Sequence, residues 1–450
     1  MSCHILCLVI LLALALTTAE TQAPRAALER PNFVLFFVDD LGYGDCGFTG
    51  HPTTQTPNID KLAWNGKILT TWYSGCSVCS CSRAALLTGR QYGRYGMQPV
   101  LGPTDRYGLN LDEVTIAEQL KRVNYTTAIV GKYHLGQRLA YLPGNQGFDY
   151  YLGIPYSDDM GNGKYSTCNS SSHDATKREF STTRQQATDS GTKHGDPAGL
   201  YLPLVYQEFN RTRIIEQPLD LTTLAQKYSD FATEFIHTNK DSPFFLYVPF
   251  SHVHTTTGRT SHNETLPHEQ YASCQHQNKT KRGPFGDALA EVDWMVGNIQ
   301  ETLERLGLDK NTLIIFTSDN GPWTIKGVDG GSAGPFVGSY ATYKDTAKGS
   351  TWEGGIRMPS FAYWKGQIPP YSRSSETISS LDVFPTLSRL ANVALPTNVT
   401  LDGRDMTDIL LREHGKSKHD FLFFYGFCNG EWPRYGPTAV RHVSKITLLI

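Results

Sequence analysis

Phe33-Val34-Leu35-Phe36-Phe37-Val38-Asp39-Asp40 is six apolar residues that break abruptly into two carboxylates. A run that is apolar at every position, rather than at alternate ones, reads as a strand buried on both faces of a parallel sheet. Three more runs end in the same manner. Thr127–Val130 ends in Gly131-Lys132-Tyr133-His134, Phe244–Phe250 in Ser251-His252-Val253-His254, and Leu313–Thr317 in Ser318-Asp319-Asn320-Gly321. Helical patterns lie between them. Thr56-Pro57 opens one, Asp112–Arg122 is a second, and Ala288–Leu306 is the clearest, with apolar residues at 3–4 spacing and Gly307 as its stop. Alternation of this kind predicts an α/β fold, a large sheet between layers of helices. Ligands in such sheets bind beyond the carboxyl ends of the strands. Four strand ends carrying acid pairs, lysine and histidines therefore predict a single site.

The chain has 450 residues, of which 39% are hydrophobic and 19% charged, the composition of an ordinary globular protein rather than a disordered or fibrous one. Forty-one Lys and Arg against 43 Asp and Glu leave a net charge of −2, so nothing polybasic points to nucleic acid or an anionic membrane. Ile5–Leu16 is an apolar run too short to span a bilayer and suited to a signal-peptide core. Thr17-Thr18-Ala19 supplies a cleavage site, so residues 1–19 are read as a signal peptide. No later stretch is long enough for a transmembrane anchor. Asn124, Asn169, Asn210, Asn263, Asn278 and Asn398 each open an N-x-S/T sequon, which with a signal peptide predicts a glycoprotein. Once the signal leaves, Cys46, Cys76, Cys79, Cys81, Cys168, Cys274 and Cys428 remain, an odd number for an oxidising compartment. One cysteine is expected to have another fate, and the cluster Cys76-Ser-Val-Cys79-Ser-Cys81 is the place to look. Residues 161–192, polar and without periodicity, read as a long surface loop, either a plain insertion or a lid.

Cys79-Ser-Cys-Ser-Arg83-Ala-Ala-Leu-Leu-Thr-Gly-Arg90 opens a helix-forming stretch. Cys79 then sits at a helix N-terminus, which favours anions, and Arg83 lies one turn on along the same face. This stretch closely resembles the signature C-x-P-S-R-x-x-x-x-T-G-R of type I sulfatases, in particular the arylsulfatase A group. The resemblance runs from Pro31 to about Arg441 through FFVDDLGYGD, TPNIDKLA, GKYHLG, GFDYYLGIPYS, GPFGDALAEVD, FTSDNGP and KGSTWEGGIRMP. It implies an alkaline-phosphatase-like α/β sandwich over residues 30–415, and at 416–450 the beginning of a small C-terminal antiparallel sheet. Phe421–Tyr425 and Thr438–Ile450 are its expected strands, and the stop at Ile450 reads either as a truncation or as a relative that lacks most of that domain. The implied activity is hydrolysis of aryl or carbohydrate sulfate monoesters. Cys79 would be converted to Cα-formylglycine (3-oxoalanine) by the formylglycine-generating enzyme, and the aldehyde hydrate would be the nucleophile. Asp39, Asp40, Asp319 and Asn320 match the ligands of one calcium ion, in keeping with the preference of hard cations for carboxylate and amide oxygens. Arg83 matches the arginine that steadies position 79. Lys132, His134, His254 and Lys348 match the cationic shell around the sulfate, completed by Ser157. The substrate would be a sulfated small molecule, lipid or glycan, the location secreted or lysosomal by way of the endoplasmic reticulum, with self-association left open.

Cys81 departs from the family, which usually has Pro at that position, or Ala in some members. Its thiol could trap Cys79 in a local disulfide and leave a poor enzyme. The rival reading is accordingly a secreted, non-catalytic relative that binds sulfated polysaccharide in an extracellular matrix. Other readings are weaker. His252-x-His254 lacks a second ligand pair for zinc, Cys76-x-x-Cys79 lacks a thioredoxin-like βαβ unit, and a phosphatase would carry Ser or Thr as nucleophile.

Overall fold

The computed structural model describes residues 30–166, 168, 200–209, 211–262, 264–337, 346–426 and 437–443. The signal-peptide reading, most of the 161–192 loop, Cys428 and the sequons at Asn169, Asn210 and Asn263 lie outside the described residues. In chain order the first elements are β1 (Asn32–Val38), α1 (Pro57–Trp64), β2 (Lys67–Leu69), β3 (Trp72–Tyr73), α2 (Cys79–Thr88) and α3 (Ile116–Lys121). Next come β4 (Thr126–Val130), β5 (Tyr150–Gly153), β6 (Leu204–Glu208), β7 (Arg211–Glu216), α4 (Leu224–Thr238), β8 (Phe244–Pro249), α5 (Pro284–Arg305) and β9 (Thr312–Ser318). The last are α6 (Glu353–Ile356), β10 (Arg357–Met358), β11 (Phe361–Tyr363), β12 (Ser372–Ser374), β13 (Ile378–Ser379), α7 (Val383–Leu390), α8 (Thr407–Leu411), β14 (Phe421–Phe424) and β15 (Ala439–His442).

Ten strands make one sheet in the order β12-β2-β11-β9-β1-β8-β4-β5-β6-β7. The four strands singled out by their polar endings are neighbours at its centre, β9-β1-β8-β4, all parallel. Register brings their carboxyl ends level: Val38 faces Ser318, Phe37 faces Pro249, and Ile129 faces Tyr247. Antiparallel strands continue the sheet at both sides, which makes it mixed.

The period-2 pleat of β1 explains why its run is apolar throughout. Val34, Phe36 and Val38 enter the core formed with Ile59 and Leu62 of α1, Tyr228 and Ile236 of α4, and Val292, Val296 and Ile299 of α5. Phe33, Leu35 and Phe37 enter the opposite core, with Leu86 and Leu87 of α2, Ile116 and Leu120 of α3, and Phe384 and Leu387 of α7. Each such side chain stabilises the fold by about 1.5–3 kcal/mol relative to exposure, so β1 fixes both layers at once. This is the α/β sandwich that the sequence implied.

Two helices start elsewhere than the apolar pattern suggested. The helix expected over Asp112–Arg122 spans Ile116–Lys121, because Thr115 accepts from Glu118 N and Glu118 accepts from Thr115 N in a capping box. The helix expected from Ala288 begins at Pro284, where a proline loses no hydrogen bond, and it stops before Gly307 at φ +72°. At the C-terminal end β14 and β15 pair antiparallel, with Phe424 opposite Ala439. Leu422, Phe424 and Ala439 pack there against Tyr73 and Ile356.

Candidate active site

At the end of β1 the chain crosses the extension of β8: Asp39 N donates to His252 O at 3.0 Å and Val253 N to Asp39 O at 2.9 Å. Asp40 then takes a left-handed conformation, φ +58°, which non-glycine residues rarely adopt, with asparagine and aspartate the commonest exceptions. In that conformation its N–H donates to Asp319 Oδ1 at 3.1 Å, and its Oδ1 accepts from Asn320 Nδ2 at 2.7 Å. The acids of β1 and β9 thus lie side by side. Gly131 follows β4 at φ +134°, where a Cβ would fall 1.9 Å from Pro249 O. Only glycine allows that approach, and it lets Lys132 N donate to Pro249 O at 2.7 Å and swing its side chain toward Asp39.

Cys79 is the first residue of α2, with Sγ 3.7 Å from Asp39 Oδ1. Cys76 and Cys81 form a disulfide around it, and Cys79 itself is free. One turn on, the fully buried Arg83 donates Nη1 to Lys132 O at 2.7 Å and Nη2 to Asp319 Oδ2 at 2.8 Å, with Asp39 Oδ2 3.3 Å away. Lys132 Nζ is bonded to Asp39 Oδ2 and, at 2.9 Å, donates to Ser157 Oγ. Lys348 Nζ donates to Asp40 at 2.7 Å and to His254 Nε2 at 3.0 Å. His254 Nδ1 must donate to Thr255 O, at 2.7 Å, since a carbonyl can only accept. The same reasoning places a proton on His134 Nε2, 2.8 Å from Leu101 O. His134 Nδ1 has no partner among the described residues.

Three carboxylates therefore meet three cations, all buried except Lys348, which is partly exposed. Burial alone would raise Asp39, but Lys132 and Arg83 more than reverse this and hold it well below the usual carboxylate range. Asp319 is pushed the other way, up to about 7, by burial and by the charge of Asp39. Burial would lower Lys132, and Asp39 instead carries it up to about 12. Burial pushes the Cys79 thiol up to about 12 against the pull of Lys132 and Lys348. Both histidines are depressed, first by burial and then by the neighbouring lysines, and so are neutral imidazoles. Asp39, Asp40, Cys79 and His254 offer ligand atoms within 4.8 Å of one another. Asn320 Oδ1 is a buried amide oxygen with no hydrogen-bond partner among the described residues. Carboxylate oxygens with a vacant amide oxygen suit a hard divalent cation, so this cluster can hold a metal ion.

All eleven residues expected at the site, Asp39, Asp40, Cys79, Arg83, Lys132, His134, Ser157, His254, Asp319, Asn320 and Lys348, are thus buried or nearly so at one end of the sheet. Neighbours that no sequence pattern singled out complete it. Trp323 lies under Lys348 Nζ, 4.6 Å from its ring centre, and 5.4 Å from the His254 ring. Asp158 accepts from Tyr271 OH at 2.6 Å and is pushed by burial up to about 8, despite Lys132. His252 turns away from the cluster to Glu291, 3.0 Å from its Oε2. Asn124, Asn278 and Asn398, the described sequon asparagines, are exposed. Cys168 and Cys274 form the second disulfide, 106 residues apart in sequence.

A parallel-centred sheet thus gathers buried acids and cations around a cysteine at the first position of a helix. The sulfatase family model matches residues 31–393, and the chain belongs to that family, the hydrolases of sulfuric esters. It is 41% identical to human (Homo sapiens) arylsulfatase A over 431 residues, which cover 94% of this chain and 74% of that protein. To mouse (Mus musculus) arylsulfatase G it is 39% identical over 412 residues, 90% of this chain and 72% of the other. Among solved structures, the PsFucS1 sulfatase from Pseudoalteromonas sp. superposes with a TM-score of 0.73 at 31% identity, covering 92% of this chain and 77% of its own. No described helix is long and apolar enough to cross a membrane.

Proposed function

We propose that this site hydrolyses aryl, lipid or glycan sulfate monoesters with Cys79 converted to Cα-formylglycine and one calcium ion held by Asp39, Asp40, Asp319 and Asn320. The observation that carries the reading is the free Cys79 at the start of α2, left out of the neighbouring disulfide and aimed at Asp39 beside Arg83. When present, calcium would polarise the sulfate oxygens and the aldehyde hydrate would supply the hydroxyl that reacts at sulfur. The rest is the work of this chain's own side chains. Lys132 and Lys348, desolvated and fixed on Asp39 and Asp40, stabilise charge that spreads over the sulfonyl oxygens, and Ser157, oriented by Lys132, adds a hydroxyl donor. Lys348 and His254 share one proton across 3.0 Å and can deliver it to the departing alcohol oxygen. His134, with its proton committed to Leu101 O, presents Nδ1 as an acceptor and serves as a base when sulfate is released. Arg83 holds Asp39 and Asp319 in place without meeting the substrate.

A secreted or lysosomal location fits this chemistry, with residues 1–19 as signal peptide, 30–415 as the catalytic domain, 416–450 as the start of a C-terminal subdomain and the six sequons as glycan sites. The test is turnover of an aryl sulfate by protein co-expressed with a formylglycine-generating enzyme. Cys79→Ser should lower kcat by at least about a thousandfold while the protein stays folded. A serine variant that turns over near the wild-type rate would refute the assignment.

A further inference from the structure

We infer that Trp323 is a positioning residue for the reaction, its indole face fixing Lys348 and His254 where the departing alcohol takes up its proton. The inference rests on the reading of that pair as the proton donor. Trp323 stands four positions beyond Asp319, outside the acids and cations already assigned. Two ammoniums lie over its ring, Lys348 Nζ at 4.6 Å and Lys326 Nζ at 4.5 Å from the centre. The His254 ring is 5.4 Å away, tilted by 48°.

An aromatic face suits this position for a physical reason. Lysine is a point charge on a flexible four-carbon stem, and proton delivery needs it held within hydrogen-bond reach. Lys348 Nζ is bonded to Asp40 at 2.7 Å and to His254 Nε2 at 3.0 Å, and Asp40 belongs also to the proposed calcium set. Another carboxylate would hold the ammonium but would compete for its proton. A ring attracts the cation through its quadrupole and has no basic atom to receive the proton. The indole is itself tied to both members of the pair. Lys348 N donates to Pro322 O at 3.1 Å, beside Trp323, and Lys326 N donates to Trp323 O at 3.1 Å. Lys326 Nζ is bonded to Glu269, whose carbonyl accepts from Thr256 N at 2.8 Å, two residues past His254. Gln270 Nε2 donates to Val253 O and to Asp329 O, each at 2.7 Å. The turn of residues 323–329 is thus fastened to the His254 segment on one side and to Lys348 on the other. In the step it serves, the S–O bond breaks and its electron pair leaves on the alcohol oxygen. One proton passes from the pair to that oxygen, the sulfuryl group stays with the attacking oxygen, and the pair regains a proton from water.

The test is the leaving-group dependence of kcat/KM, which reports the steps up to S–O cleavage, measured on the converted, calcium-loaded enzyme. Phenyl sulfate and para-nitrophenyl sulfate present the same ring, but phenolate needs a proton to leave and nitrophenolate does not. Trp323→Leu should lower kcat/KM about tenfold or more on phenyl sulfate, the size of a cation–π contact to a mostly buried ammonium, and less than about threefold on para-nitrophenyl sulfate. Trp323→Phe keeps a ring face and should bring phenyl sulfate back to within about threefold of wild type. An equal loss on both esters, the mark of a structural role or of stacking on the aryl ring, would overturn the inference. So would a leucine variant at the wild-type rate on phenyl sulfate. His254→Gln is the reference and should show the same preference for the nitro ester. If it loses equally on both, or if wild type hydrolyses neither, the functional reading fails separately. The crystal structure of Trp323→Leu then decides the placement: Lys348 Nζ out of hydrogen-bond reach of His254 Nε2 supports the inference, and an unchanged separation refutes it.

Discussion

Replacing Arg83 with methionine removes the one guanidinium that joins Asp39, Asp319 and the Lys132 carbonyl while filling most of its volume. All three partners are buried, and Asp39 retains Lys132 whereas Asp319 has no other cation bonded to it among the described residues. Breaking a buried ion pair by deleting one partner costs about 3–5 kcal/mol, and the orphaned carbonyl adds about 1 kcal/mol. A limit is set by protonation. Asp319 already titrates near 7 with Arg83 present, so without it the carboxyl takes up a proton rather than remain charged and unpaired. The loss should therefore sit near the lower end of that range at acid pH and grow with pH. The sign follows from linkage: the folded-state pKa lies above the unfolded value of 3.8, so the unfolded state binds fewer protons and stability falls as pH rises through the raised pKa. Urea unfolding in chelator, followed by tryptophan fluorescence at pH 5.5 and pH 8, measures the difference. A loss of about 3 kcal/mol or more that is greater at pH 8 is expected. A loss below about 1 kcal/mol, or one independent of pH, would refute the electrostatic account of this cluster.

Further outcomes follow from the same contacts. Asp319→Asn keeps an acceptor for Asp40 N but removes the one carboxylate that follows β9, so it should abolish turnover and weaken calcium binding with the fold intact; retained turnover at ordinary calcium would sink the metal assignment. Lys132→Met leaves Arg83 as the ion-pair partner of Asp39 and removes the ammonium that donates to Ser157 Oγ, and should cut kcat at least about a hundredfold with a smaller effect on stability, measured on an aryl sulfate. Glu291, against the effect of burial, is held at about 2 by hydrogen bonds from His252 and His276, so it contributes stability that is present above its ordinary 4.5 and lost as pH falls toward 2. Glu291→Gln should cost roughly 3 kcal/mol at pH 6, with the gap to wild type closing between pH 4.5 and 2 in denaturant titrations; a gap that does not change with pH would contradict it.

Much of the site was legible because parallel strands concentrate their chemistry at one end. Asp39, Lys132, His254 and Asp319 each follow an uninterrupted apolar run, and the fold has only to set those four runs side by side. Lys348 is different: it follows no strand, so only the resemblance of its segment singled it out. Trp323 and the Asp158–Tyr271 pair carry no pattern at all, since packing on Lys348 and His254 or burial beside Lys132 depends on loop geometry that periodicity does not encode. The cysteine cluster was half legible. The odd count pointed to it, yet which thiol stays free depends on the direction each side chain takes from α2. The helix expected from Asp112 starts only at Ile116, because the reciprocal cap of Thr115 and Glu118 fixes its first turn there.

The measurement that bears most directly on the account is the mass of the tryptic peptide spanning residues 68–83, reduced and alkylated, from protein secreted by a eukaryotic host. Conversion of Cys79 to the aldehyde predicts a loss of about 18 Da at that residue, with Cys76 and Cys81 alkylated only after reduction. An intact cysteine at position 79, whether free or in a disulfide, in protein that hydrolyses no sulfate ester would contradict the central claim.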